Sequence, residues 1–313
     1  MATVERTLNF LLEEPNLSFR AIRRKGALRW IASNRRGSLG AMTKFAPPSK
    51  CWPRLMVQLC SLIDFRVPRF VRLVEPLDVS GTFFRQATAL LQIPVDRVGI
   101  YVGEPNDQQK LVVTDVGGQS GSVLKIAAGK KANRAIEREA MGASLAREDA
   151  QWQGMVPEIR PCEPISGKPT LLIERIRGRQ LSPSAFEQMF MQPTSFPAAD
   201  GVVLGDWLMK NGYIDRPDLT ELLDSCDQIG ALSLCSPLGI VHGDFAPWNA
   251  IQTEDRIVFV DWEFSGIETP RIFDTAYAAW CYSELLGREI RGIEKEKLDQ
   301  LVALGALWRE IRK

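Results

Sequence analysis

Between residues 98 and 176 the apolar residues come in short β-branched runs parted by turn formers, and beyond Pro183 they recur at helical spacing. A strand-rich stretch followed by a helix-rich one predicts an α+β chain with two lobes. Strands are expected at 99–103 (GIYVG), 110–116 (KLVVTDV) and 122–127 (SVLKIA), joined by the polar turn EPNDQQ and the turn GGQSGS. Three antiparallel neighbours in chain order are the simplest arrangement. A helix is expected over 131–149, with Ile136, Ala140, Ala143 and Leu145 sharing a face, and strands at 155–160 and 170–176. Gly178 and Pro183 mark a break. Helices follow near 184–192, 202–211, 217–234, 270–286 and 293–311, interrupted by two short strands in GIVHGD and RIVFVDW. Earlier, Arg54–Phe65 has helical spacing at Leu55, Val57, Leu59, Leu62 and Ile63. The expected division is an N-terminal extension over 1–96, basic and partly helical, then a lobe over 97–178 and a helical lobe over 179–313.

Several classes of function fall away on counts alone. A net charge of +1 argues against a protein that coats nucleic acid, so no nucleic-acid partner is expected. The basic residues Arg20, Arg23, Arg24, Lys25, Arg29, Arg35 and Arg36 cluster near the start, beside Trp30. Such a segment suits peripheral contact with an anionic membrane, although a solvated basic surface is the plainer reading. No run of about 18 apolar residues is present to span a bilayer, and the first residues lack a secretory pattern. The cysteines at 51, 60, 162, 226, 235 and 281 form no CxxC pair and read as reduced, mostly buried thiols. A cytoplasmic protein is the expectation. His242 is the only histidine, which excludes every multi-histidine metal site.

The chemistry is concentrated in IVHGDFAPWNAI (240–251) and IVFVDWEF (257–264). An apolar strand leads into His242-Gly243-Asp244, Asn249 follows five positions later, and a second strand presents Asp261. Phosphoryl transfer asks little of a protein: a carboxylate to orient the acceptor hydroxyl, and oxygen ligands for magnesium beside the β- and γ-phosphates. Asp244, Asn249 and Asp261 supply that set.

HGDxxxxN followed by an apolar strand ending in D-W-E resembles the aminoglycoside phosphotransferase and choline kinase superfamily, which has a protein-kinase-like fold. The resemblance implies an antiparallel-sheet N-lobe that binds ATP or GTP, and a mainly helical C-lobe. It also implies a small-molecule kinase that places the γ-phosphoryl group on an alcohol. By the same resemblance Asp244 would be the catalytic base, Asn249 and Asp261 would hold Mg2+, and Asp274 in PRIFDTAY would brace the catalytic loop. Thr275 stands where this family usually has Leu. His242 reads as structural. Gly243 replaces the arginine that pairs with a phosphorylated activation loop in protein kinases, so regulation of that kind is not expected.

In the first half, VLKIA resembles the VAIK strand, which implies that Lys125 reaches the nucleotide phosphates and pairs with a helix carboxylate. Glu139 is the better match to that carboxylate and Glu137 the rival. The loop over the phosphates would be Gly103–Lys110, GEPNDQQK, without repeated glycines, and GGQSGS would be a plain hairpin turn. Backbone groups near Glu174–Ile176 would read the base edge. Acceptor specificity would sit near 180–235, which holds Asp200, Asp206, Asp215, Asp218, Glu221, Asp224 and Asp227; these suit a cationic substrate or are ordinary solvated faces. Trp207 and Tyr213 are the main candidates for an aromatic cage, too few to favour choline. The stretches LRWIASNRRG, FAPPSKCWPRLMVQLC and GIYVGEPNDQQKLVV look like phosphotransferase-like proteins of polysaccharide biosynthesis, which tilts the acceptor toward a sugar or a sugar-containing compound. The alternative is a pseudokinase, a nucleotide-binding scaffold in a polysaccharide-assembly pathway.

Overall fold

The computed structural model describes residues 15–24, 27–33, 38, 41–42, 74–191 and 201–312. These fall into two compact units. One holds the described residues up to Glu137 together with Glu158–Arg175, and the other holds Arg138–Pro157 and the described residues from Ile176 on. The expected helix over Arg54–Phe65 lies outside the described residues, as do Cys51, Cys60 and Asp200.

The first unit is built on one antiparallel sheet of eight strands. In chain order they are β1 (Pro15–Arg24), β2 (Ala27–Ser33), β3 (Val74–Ser80), β4 (Val98–Val102), β5 (Lys110–Asp115), β6 (Ser122–Ala127), β7 (Ile159–Pro161) and β8 (Thr170–Glu174). Their order across the sheet is β3-β1-β2-β4-β5-β6-β8-β7. The three expected neighbours β4, β5 and β6 lie side by side, and the GGQSGS turn closes the β5–β6 hairpin. The described residues before 97 do not stand apart as an extension, however. β2 pairs with β4 through Trp30↔Tyr101 and Ile31↔Ile100, so the expected boundary at 96/97 falls inside the sheet.

Helix α1 (Gly81–Leu91) covers one face of this sheet. Ser80 caps it, accepting from Phe83 N–H, and Gln92 ends it in the left-handed conformation just before Pro94. Phe83, Phe84, Ala87 and Leu91 pack against Phe19, Ile31, Val98, Ile100, Leu111, Val113, Leu124 and Ile126. The strand period of two explains why Val98, Ile100, Leu111, Val113, Leu124 and Ile126 share that face. Lys125, one step out of phase between Leu124 and Ile126, lies on the opposite face, level with Val112 and Leu171.

Arg29 departs from the expected solvated surface. It is buried on β2, where its Nη2 donates to Tyr101 Oη (3.0 Å) and Glu104 Oε1 (2.7 Å). The other N-terminal basic side chains lie outside the described ones.

One ionic knot around the fully buried Asp115 holds the β5–β6 turn. Asp115 accepts from the N–H groups of Gly117 (2.7 Å), Gln119 (2.7 Å) and Ser120 (2.8 Å), from Arg97 Nε (2.9 Å), and from Arg97 Nη2. Burial alone would raise its pKa, but the guanidinium and the three amides outweigh that and hold the carboxyl at about 2. Asp115→Ala strips a largely buried guanidinium of its counter-charge and three amides of their acceptor, so a loss of about 3–5 kcal/mol is expected in urea unfolding. Because the folded pKa lies below the unfolded 3.8, this stabilisation is present above pH 4 and disappears as pH falls toward 2. The wild type should lose roughly 2.5 kcal/mol by this route between about pH 5 and about pH 1, and the variant should show none of that slope.

The second unit is mainly helical, as expected. It contains the end of α2 (Ala132–Glu148), then α3 (Pro183–Phe190), α4 (Leu204–Lys210), α5 (Thr220–Gln228), α6 (Ile272–Trp280) and α7 (Lys295–Ile311). The two expected short strands appear as β12 (Leu238–Val241) and β14 (Ile257–Phe259). Five more short strands accompany them: β9 (Arg179–Gln180), β10 (Val202–Val203), β11 (Cys235–Ser236), β13 (Ala250–Gln252) and β15 (Gly266–Pro270). β14, β13 and β9 form one small sheet, β12 pairs with β15, and β10 pairs with β11. The α+β class read from the apolar pattern is therefore the one the chain adopts. Among the described cysteines Cys226 and Cys281 are buried, Cys162 and Cys235 are half-buried, and all four are free.

Candidate active site

β12 delivers the chain into His242, and the N–H groups of His242, Gly243 and Asp244 all find acceptors inside the second unit. The His242 ring is fully buried. Asp244 N–H donates to its Nδ1 (3.2 Å), so the ring proton sits on Nε2 and is donated to the Val260 carbonyl (3.0 Å). Burial pushes the ring pKa down to about 4, against the pull of the nearby Asp244. The histidine is thus a neutral strut between the two motif segments. Trp152 backs it, donating from Nε1 to Ile240 O (2.9 Å) and meeting the rings of Phe245, Phe259 and Trp262 edge-on.

Asp274, at the start of α6, holds the same turn from the other side. Its Oδ2 accepts from His242 N–H and its Oδ1 from Gly243 N–H, both at 2.8 Å. Burial pushes its carboxyl up to about 7, against those two donors. The bracing implied for Asp274 by resemblance is what this geometry provides, and Thr275 does not disturb it.

Asp244 and Asn249 are brought into direct contact. Asn249 Nδ2 donates to the Asp244 main-chain oxygen (2.9 Å) and to its Oδ2 (2.7 Å). The amide nitrogen is thereby committed, and Oδ1 is the atom left to face a cation. Asp261 follows β14 in the left-handed region at φ 72, uncommon for a residue with a side chain. The segment before it is tied to the first motif: Val260 N–H donates to Asn249 O (2.9 Å), and Val260 O receives the histidine proton. Three oxygen-bearing side chains thus stand on two loops bound to each other. Oxygen donors of this kind fit a hard divalent cation. Among the described residues no group of three or more His, Cys, Asp and Glu forms a metal cage.

Three residues that the sequence pattern left unread complete the turn. Arg312, just past α7, donates from Nη1 to Gly243 O (2.9 Å) and to Asp244 Oδ1 (3.0 Å), and from Nη2 to Tyr277 Oη. Trp308, one turn earlier, donates from Nε1 to Gly243 O (3.1 Å). Burial first, and then the Asp244 carboxylate, raise the Tyr277 phenol well above its ordinary pKa. The spacing Trp308–Arg312 is a same-face pair on a helix, the one signal in the sequence that could have drawn attention to them.

The remaining candidates are placed as follows, each within its own unit. Gly103 opens the β4–β5 loop, and its N–H donates to Lys110 O (2.8 Å). Buried Gln109 holds that loop, donating from Nε2 to Gly103 O (3.1 Å), while Lys131 N–H, just before α2, donates to Asp107 O (2.7 Å). Lys125 is half-buried on β6. Glu174, ending β8, accepts from Glu158 N–H at Oε2 (3.0 Å), and Ile176 begins the second unit. On α2 Glu139 is buried and Glu137 exposed, the pattern that favours Glu139 as the inward carboxylate. The backbone of α2 lies close to the turn after Asp261: a Cβ on Gly142 would stand 1.8 Å from Ser265 Oγ.

Around the expected acceptor region, Asp206, Asp215, Asp218, Glu221, Asp224 and Asp227 are all exposed. Trp207 is buried, stacked on Tyr213 at 5.5 Å, with its Nε1 donating to Glu268 O (3.1 Å). That ring is core packing and has no open face for a quaternary ammonium.

Residues 204–312 match the family model described as the phosphotransferase enzyme family, APH. That span contains Asp244, Asn249, Asp261, Asp274 and Arg312. No curated protein matches the chain. Similar solved structures include a choline/ethanolamine kinase family protein from Mesorhizobium loti, 20% identical over 73% of this chain and 86% of that one, with a TM-score of 0.38. A Plasmodium vivax ethanolamine kinase is 14% identical over 68% of this chain and 74% of that one, at a TM-score of 0.41. Aminoglycoside phosphotransferase APH(4)-Ia, in a thermostable mutant, is 13% identical over 68% and 87% respectively, at 0.42. No helix among the described residues is long and apolar enough to cross a membrane.

Proposed function

For a chain whose residues 204–312 match the model of the phosphotransferase enzyme family, we propose a kinase that moves the γ-phosphoryl group of ATP or GTP onto a hydroxyl of a small molecule. The observation that carries this reading is the Asp244–Asn249 pair, with one carboxylate oxygen and the main-chain oxygen of Asp244 taking both contacts of the Asn249 amide nitrogen. Asp244 orients the acceptor hydroxyl. As its oxygen bonds to phosphorus, the hydroxyl proton passes to the Asp244 carboxylate, the bond to the β-phosphate oxygen breaks, and the nucleoside diphosphate leaves with the electron pair. Asn249 Oδ1 and the Asp261 carboxylate are the groups that would hold Mg2+, which neutralises charge on the β- and γ-phosphates when bound. Lys125, Glu139, the loop from Gly103 and the backbone at Glu174–Ile176 would take the nucleotide. Magnesium commonly makes do with one or two side-chain oxygens plus phosphates and water.

For the acceptor we take the sugar or sugar-containing compound suggested by the first half of the sequence. Transfer of label from γ-labelled Mg-ATP to a panel of sugars, aminoglycosides and ethanolamine, with water as the default acceptor, tests the reading. Label is expected on at least one organic hydroxyl. Tight Mg-ATP binding with no transfer to any acceptor would instead mark a nucleotide-dependent scaffold. The metal assignment has its own check: Asp261→Asn should raise the Mg2+ needed for half-maximal nucleotide binding at least about tenfold. An unchanged Mg2+ requirement would move the metal elsewhere.

A further inference from the structure

We propose that Arg312 is a positioning residue for phosphoryl transfer, holding the Asp244 carboxylate in its working orientation and supplying the positive charge beside it. The inference rests on the reading of Asp244 as the base. Its own support is the way α7 presents this one side chain to three separate pieces of the site. Nη1 reaches Gly243 O at 2.9 Å and Asp244 Oδ1 at 3.0 Å, and Nη2 reaches Tyr277 Oη on α6. The guanidinium carbon lies 4.4 Å from the ring centroid of Phe264, in the turn after Asp261, and 4.1 Å from that of Tyr277. Both charged side chains are largely buried, Arg312 at 12% exposure and Asp244 at 14%, so the pair is only weakly screened.

This arrangement fixes more than a surface ion pair would. Asp244 Oδ1 is gripped by Arg312 and Oδ2 by Asn249, so the plane of the carboxylate is set from both ends. Each oxygen keeps a further lone-pair direction for an acceptor hydroxyl. A planar guanidinium held by two rings and two carbonyl-type acceptors has little freedom left to lose, which suits it to positioning. Charge points the same way. A transferring phosphoryl group brings negative charge toward Asp244, and an unneutralised carboxylate there would repel it.

The test uses the full chain and γ-labelled Mg-ATP, with water and the acceptor panel. Arg312→Met is expected to lower kcat about 10²-fold, with KM for ATP within about twofold because nucleotide contacts are untouched. Arg312→Lys restores the charge without the planar fork and should recover at least about a tenth of the lost rate. Since Arg312 acts through Asp244, adding Arg312→Met to Asp244→Ala should lower the rate no further. Should Arg312→Met fail to fold, Tyr277→Phe is read in its place. It keeps the ring under the guanidinium, removes only the phenol oxygen, and is expected to cost about three- to tenfold in kcat. A wild-type kcat in Arg312→Met (or in Tyr277→Phe, where that variant stands in), with Asp244→Ala inactive, overturns the inference and leaves the proposed function standing. So does a double variant whose losses multiply. An Asp244→Ala variant as active as the wild type, or a wild type that transfers to no acceptor, overturns the proposed function and this inference together.

Discussion

Replacing Asp244 with Ala is expected to lower phosphoryl transfer by about 10²–10⁴-fold while Mg-ATP affinity stays within about twofold. The carboxylate is the group that aligns the hydroxyl and takes its proton, and the nucleotide is held by other residues. Ala is a cleaner choice than Asn here. An amide at 244 would set its NH2 against either Arg312 Nη1 or Asn249 Nδ2, which now donate to Oδ1 and Oδ2. Against Asn249, relief would come from turning the Asn249 amide over, pulling its Oδ1 away from the cation and mixing a metal defect into the result. Removing the carboxylate also leaves Arg312 without its counter-charge, so the thermal midpoint should fall and rates should be compared well below it. Transfer within threefold of wild type would remove Asp244 from the chemistry.

Gly243→Ala should be the most destructive single methyl group in the second unit. Gly243 sits at φ +80, where an L side chain is strained by about 1–2 kcal/mol on its own. Its Cβ would also stand 1.9 Å from Phe264 O and 3.1 Å from Phe264 Cβ, an overlap with backbone that no rotamer change relieves. Moving Phe264 would displace the turn that carries Asp261 and the ring beneath Arg312. A stability loss above about 4 kcal/mol in urea unfolding, with transfer below detection, is the expected outcome. A variant within about 1 kcal/mol of wild type would mean that the two loops are not packed as described.

The strands β4, β5 and β6 and the helix α2 were legible to within a residue or two because local alternation and spacing encode them. So was the motif, whose groups lie on two short contiguous stretches. What escaped reading was non-local. Nothing in residues 27–33 announces a partner at 98–102, and β9 and β15 exist only because distant segments pair with them. Arg29 looked like one more solvated basic residue, and only the partners Tyr101 and Glu104 explain its burial. Arg312, Trp308 and Tyr277 are each more than thirty positions from Asp244, and their convergence is a product of how α6 and α7 pack. Phe273 on α6 stacks on Trp308 of α7 at 4.7 Å, which fixes the register that delivers them.

The placement of β2 against β4 bears on how this chain can be shortened. A polypeptide begun at residue 97, the boundary the apolar pattern suggests, would keep every motif residue and still lose the whole pairing of β4 with β2. It would strip β4 of Trp30, Ile31 and Ala32 and uncover the apolar face that Phe19, Phe83 and Phe84 now shield. The bare ladder left behind is the kind of edge that pairs with other copies of itself. Such a fragment should pellet on expression, and its failure would say nothing about catalysis.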